Sequence, residues 1–132
     1  MSETWALLID PRDDVPVYGQ IAGQIRSRIA TGDVPAGTLL PPVRVLASDL
    51  GVNMNTVARA YRLLEAEGFV RIHERSGAEV VGPARPGSDP DRANGLREEL
   101  ATVLARLRQA GVSMSDVRRW VERELASLGG RR

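Results

Sequence analysis

The sequence predicts a mainly α-helical fold that carries one small β-hairpin and ends in a separate pair of helices. Two observations predict it. Apolar residues recur at three- and four-residue spacing along most of the chain, in runs punctuated by glycine and proline. Only around residues 69–81 does the period drop to two, on either side of a turn-forming Arg75-Ser76-Gly77.

Residues 1–15 form an N-terminal arm with four acids, one arginine and the apolar patch Trp5-Ala6-Leu7-Leu8-Ile9. The patch reads as a short extended segment packing on the domain that follows. After Pro16, the stripe Tyr18, Ile21, Ile25 and Ile29 defines a first helix, stopped near Thr31 by Gly32 and Pro35. Pro35, Gly37, Pro41 and Pro42 then forbid helix and force an extended connector. A second helix runs from about Val43 to Leu50 with Leu46, Ala47 and Leu50 inward, and Gly51 ends it by adopting positive φ. Asn53 caps a third helix, which buries Val57, Ala60, Tyr61 and Leu64 and is closed by Gly68. Two helices separated only by Gly51-Val52 must cross steeply, so the pair is a helix-turn-helix.

The strands Phe69–His73 and Ala78–Val81 make the hairpin a wing appended to that motif. A lone hairpin is marginal, so a third short strand is expected near Thr38-Leu39-Leu40. Residues 16–81 thus form a winged helix-turn-helix domain. Gly82 to Arg92, with three prolines and two glycines, reads as a stiffened linker. Residues 93–132 are a helical region. Its first helix, from about Arg92 to Ala110, carries the stripe Leu96, Leu100, Val103, Leu104 and Leu107 and ends at Gly111. Ser113 and Asp116 then resemble a capping box, and a last helix sets Val117, Trp120, Val121, Leu125 and Leu128 on one face. Two short helices cannot bury two apolar stripes without help. The simplest partner is the same pair from a second chain, which makes 93–132 a dimerisation region; folding back on the chain's own domain is the alternative, disfavoured by the prolines of the linker.

Composition narrows the function. A chain of 132 residues suits one domain, or one small domain with an appendage, and is too short for a Rossmann dehydrogenase, a TIM barrel or a protein-kinase domain. With no Cys and one His, it has no disulfide framework, thiolate metal site or multi-His centre, and no cofactor is expected. There is no His–carboxylate–nucleophile set and no Gly-rich phosphate loop, so an enzyme is not expected. No bilayer-spanning run and no signal-peptide pattern occur, so the expected compartment is the cytoplasm and no membrane partner is expected. Every one of the 18 basic residues is Arg, yet the net charge is only +1. Residues 1–81 carry a net −2 and residues 82–132 a net +3. Any case for nucleic acid must therefore rest on where the arginines sit.

The order of residues over 16–81 carries a resemblance. Pro16, Tyr18, Gln20 and Ile21 are followed by Gly32, Pro35, Gly37 and Leu40-Pro41-Pro42-Val43-Arg44. Then come Leu46-Ala47, Leu50-Gly51-Val52, Asn55-Thr56-Val57, Ala60-Tyr61, Leu64, Glu67-Gly68-Phe69-Val70 and Gly77. This pattern resembles the winged-helix domain of GntR-type transcription regulators. The two-helix tail is similar to that of the YtrA-type subfamily, whose members carry a small helical dimerisation region in place of a larger effector-binding domain. The resemblance implies sequence-specific binding of double-stranded DNA as a homodimer on a palindromic operator, usually as a repressor. Autoregulation, control of a transporter operon and an unidentified small-molecule effector are further implications.

Carried over residue by residue, the resemblance points to Arg44, Asn55, Thr56 and Gly77 as DNA contacts. The chain departs from the family where many relatives have Ser-Arg before Asn-Thr, with Asn53-Met54 here, and at the wing, with Arg75-Ser76-Gly77 in place of Gly-Arg-Gly. Glu79 stands where an aromatic is common. Met54 replaces a guanine-reading Arg and is suited to a thymine methyl, while Arg75 restores a cation at the wing. Asn53 reads as a cap and Asn55 as the strongest candidate for adenine readout. Arg59 is favoured over Arg62 as a phosphate clamp. Tyr18 and Tyr61 read as core, His73 as an ordinary strand residue and Trp120 as interface. A winged-helix adaptor for protein contacts, without specific DNA binding, is the alternative function.

Overall fold

The computed structural model describes residues 5–75 and 77–128, and the chain parts into two compact units at Gly82–Pro83. In the first unit the helices are α1 (Val17–Ala30), α2 (Val43–Leu50) and α3 (Met54–Ala66), followed by the antiparallel strands β1 (Val70–His73) and β2 (Gly77–Val80). The second unit holds α4 (Pro90–Gln109) and α5 (Met114–Ser127). The helix and strand order is the one the sequence predicts. Residues 1–4 of the arm and Ser76 of the turn lie outside the described residues.

Prolines and glycines set the helix limits. Pro16 and Pro42 occupy the N-caps of α1 and α2 with extended backbone (ψ 152° and 145°), a conformation proline favours. Gly51 ends α2 in the left-handed region at φ 67°, where a side chain would be strained. The Val52 N–H then donates back to the Ala47 carbonyl at 3.0 Å, so the turn into α3 leaves few unpaired groups.

α3 is the central element: it packs on α1, on α2 and on β1. Its buried face is Val57, Ala60, Tyr61 and Leu64, as its periodicity predicts. The core is aliphatic, with Ile21, Ile25, Leu46, Val57, Leu64 and Val80 fully buried. Tyr61 is the buried polar exception: its hydroxyl donates to the Pro41 carbonyl at 2.7 Å, and burial pushes its pKa up, which keeps the phenol a donor. That bond fixes the Pro41-Pro42 entry of α2 against α3.

The third strand is reduced to one bridge, Leu39 to Glu79, held by Leu40 N–H to the Ala78 carbonyl and Val80 N–H to the Thr38 carbonyl, each at 2.8 Å. It covers one edge of the hairpin. On the other edge the Ile72 N–H donates to the Glu65 carboxylate at 2.8 Å, tying the hairpin to α3. His73 Nε2 lies 2.8 Å from Glu79 Oε1 across the strands.

The arm is fastened more firmly than an apolar patch alone predicts. Trp5 and Leu7 join the core. Gln24 of α1 pairs with both the N–H and the carbonyl of Leu8, at 2.9 and 2.7 Å. Gln20, one helical turn earlier, does the same to Asp10 at 2.8 and 2.7 Å and also donates to the Val15 carbonyl. Two amide side chains thus replace a β-ladder for the extended arm.

In the second unit α4 opens at Pro90, within two residues of the expected start at about Arg92. Pro90 is no breaker there. It occupies the first turn, where its missing N–H costs nothing, and the Asp89 carboxylate accepts from Arg92 N–H at 3.1 Å. Ser113 Oγ accepts from Asp116 N–H at 3.2 Å and caps α5. Among the described residues no helix is long and apolar enough to cross a membrane.

Candidate nucleic-acid interface

Three elements converge on one groove. The entry of α2 supplies Pro41, Pro42 and Val43, α3 supplies Ala58, Arg62 and Glu65, and the hairpin supplies Ile72, Gly77 and Ala78; the cavity measures about 350 Å³ and is lined mainly by apolar surface. Of the DNA-contact residues singled out from the sequence, Gly77 lines it. Arg44 is exposed in the first turn of α2, whose proline cap offers no side-chain acceptor, so the first amides of that helix have no capping partner. Such a helix start favours a phosphate, and Arg44 adds a fork of donors beside it.

Asn53 is a cap, as its position predicts: its side-chain oxygen accepts from Asn55 N–H at 2.7 Å. Its other capacity faces outward on an exposed residue. Met54 is 52% exposed, an unusual state for a large apolar side chain at a helix start. Asn55 is exposed, with no side-chain partner among the described residues, and Thr56 is half-buried beside it. Gly77 has φ 91°, and a Cβ built there would meet nothing within 4 Å. The turn conformation therefore accounts for glycine at this position, and the open space leaves its backbone reachable.

Seven of the eight arginines in residues 1–81 sort into two groups; Arg12, exposed on the arm, stands outside both. Arg26 pairs with Glu67 at 2.7 Å, and Arg28 donates to the Ala6 carbonyl at 3.3 Å and lies over the Trp5 ring. Both stiffen the domain. Arg44, Arg59, Arg62, Arg71 and Arg75 are exposed, and none has a carboxylate partner among the described residues. All of these lie on α2, α3 or the hairpin. The net charge of −2 over residues 1–81 therefore hides a set of exposed cations on α2, α3 and the hairpin that no carboxylate compensates.

Arg62 lines the groove with the hairpin, and Arg59 stacks on Tyr18 of α1 with its guanidinium carbon 3.9 Å from the ring centroid. Tyr18 is half-buried and packs against the core, as its place on the α1 stripe predicts, and its ring also carries the Arg59 cation. Neither contact has a sequence signal, because the partners lie on different helices.

In the tail, Leu96, Leu100, Val103, Trp120, Val121 and Leu125 are exposed, at 40–62%. Leu104 and Leu107 are half-buried. Val117, expected at the dimer interface, is only 5% exposed in the single chain. Its side chain is already covered in the single chain.

A helix-turn-helix, a hairpin wing, a groove between them and exposed arginines without carboxylate partners on α2, α3 and the hairpin define a winged helix-turn-helix DNA-binding protein. The profile described as "Bacterial regulatory proteins, gntR family" matches residues 17–80. The HTH-type transcriptional repressor YtrA of Bacillus subtilis (strain 168) is 30% identical over 122 residues, 92% of this chain and 94% of that one. Among solved structures, YtrA from Sulfolobus acidocaldarius, a GntR-family transcription factor, is 38% identical, with a TM-score of 0.60 over 75% of this chain and 97% of that one. A transcriptional antiterminator from Listeria monocytogenes EGD-e is 25% identical, with a TM-score of 0.78 over 95% of this chain and 94% of that one. The chain belongs to the GntR family and is a DNA-binding transcription regulator.

Proposed function

We propose that this regulator is a homodimeric repressor that reads a palindromic operator, with α3 in the major groove, Arg44 on the backbone and the Arg75–Gly77 wing against the adjacent minor groove or backbone. The observation that carries the dimeric reading is the apolar face of the tail, Leu96, Leu100, Val103, Trp120, Val121 and Leu125, exposed in the single chain. A second copy covers such a face and sets two reading helices one helical turn of DNA apart, about 34–36 Å. The repressor sense is supported by likeness to YtrA of Bacillus subtilis over nearly the whole chain. The DNA upstream of the protein's own gene is the first operator to try, and a transporter operon the second. A small-molecule effector would bind between subunits and act by preferring one half-site spacing; a metabolite thermal-shift screen followed by a DNA-release assay tests that.

Fluorescence anisotropy with the upstream duplex tests the reading. For six to ten neutralised phosphates, affinity falls by about 10³–10⁵ between about 50 and 200 mM salt. Binding that ignores salt would contradict it, and no binding to any duplex would favour a protein-contact adaptor. Arg44→Ala weakens binding to specific and unrelated duplexes alike and lowers the salt slope by about one. Asn55→Ala behaves differently: it relaxes preference at one base pair by about 1–3 kcal/mol, and equal loss on every sequence would show that Asn55 touches only phosphate.

A further inference from the structure

We propose that Tyr18 is a positioning residue for DNA binding: its ring holds the Arg59 guanidinium in place as a preorganised phosphate clamp at the α1 side of the recognition helix. This rests on the DNA-binding reading above and adds a residue on α1 to it.

Arg59 lies four residues after Asn55, so the two are neighbours on the outward face of α3. Both are exposed. Arg59 has no hydrogen bond or ion pair among the described residues, and its one partner is the Tyr18 ring at 3.9 Å. The other two stacked arginines differ. Arg26 lies 5.9 Å from Phe69 and Arg28 5.4 Å from Trp5, and each also spends its donors inside the protein, on Glu67 and on the Ala6 carbonyl. The chemistry of the guanidinium makes the contrast matter. Its five N–H donors lie in the plane of the group, so a ring against its face leaves every donor free to meet phosphate oxygens. Stacking also removes rotamer freedom before DNA arrives. Ordering a long side chain at an interface costs a factor of about two to ten in affinity, and Tyr18 meets that cost in the free protein.

The test is a double-mutant cycle on a mixed-sequence DNA duplex at low salt, because a phosphate clamp acts on any sequence. Tyr18→Leu weakens binding by about two- to tenfold in the otherwise unchanged protein and leaves an Arg59→Ala background unaffected. Tyr18→Phe, which keeps the ring, binds as the parent does. In NMR spectra the Arg59 side-chain protons carry an upfield ring-current shift that persists on adding duplex. A Tyr18 that merely staples α1 to α3 gives the same loss in both backgrounds, and that result overturns the proposal. So does a ring-current shift that vanishes on DNA, which reads out even if Tyr18→Leu melts early. If the parent protein itself ignores the duplex, the DNA-binding reading falls with it; if the parent binds and Tyr18→Leu matches it, only the role of Tyr18 falls.

Discussion

Placing a carboxylate on each tail helix, with Leu100→Asp and Leu125→Asp together, should convert a dimer into a monomer and reduce affinity for a palindromic duplex by about 10²–10⁴. Both side chains are more than half exposed in the single chain, at 53% and 62%. Their replacement therefore costs the isolated tail little, and the effect concentrates on whatever covers them. In a dimer the second half-site is bound at the high effective concentration that the first binding event creates, and a monomer forfeits that factor without losing one DNA contact. Light scattering reports the mass and anisotropy the affinity. Binding to a single half-site should be unchanged, which separates lost coupling from a damaged reading head. A tail that covers its apolar face with its own chain predicts another outcome: unchanged mass and a lower melting temperature.

Val117→Asp supplies the contrast. Val117 is 5% exposed, so a charge there is buried before any partner arrives. The variant should lose helicity in the tail as well as dimerisation, whereas the Leu100/Leu125 pair should lose only the latter.

The helix limits of the first unit were legible because Pro16, Pro42 and Gly51 act locally: each is restricted or freed by its own φ, whatever surrounds it. The buried face of α3 was legible because Val57, Ala60, Tyr61 and Leu64 recur at the helical period. The start of α4 was legible only to within two residues, for a local reason. Pro90 carries opposite meanings inside a helix and in its first turn, and only the Asp89 cap decides between them. The arm was half legible. Trp5 and Leu7 announce burial, but nothing in the pattern says that Gln20 and Gln24 will bond its backbone. At the interface, Asn53 was readable as a cap, while the different placements of Arg59 and Arg62 depend on which neighbouring element each reaches across space. Side-chain partners on separate helices leave no periodic trace, so neither placement is legible in the pattern.

Leu64→Ala should be the most destabilising single truncation in the first unit short of a buried charge, costing about 2–5 kcal/mol. Leu64 is fully buried and lies on α3, the one helix that packs on α1, on α2 and on the hairpin. A void there is bordered by elements already fixed to one another: α1 and α3 by Arg26–Glu67, the α2 entry by Tyr61 to Pro41, the hairpin by Glu65 to Ile72. None can move in to fill it without breaking such a bond, so collapse is resisted and the cost falls toward the upper end of the range. For a unit of this size each kcal/mol lowers the melting temperature by about 4–8 °C, so a fall of at least about 10 °C is expected by calorimetry. Below that transition, operator affinity should remain near that of the parent, because the surviving bonds still set the pose of α3 against the wing. A small melting shift with a large affinity loss would mean that the groove depends on Leu64 for its shape and not only for its stability, and that the polar ties to α3 do not hold the reading head alone.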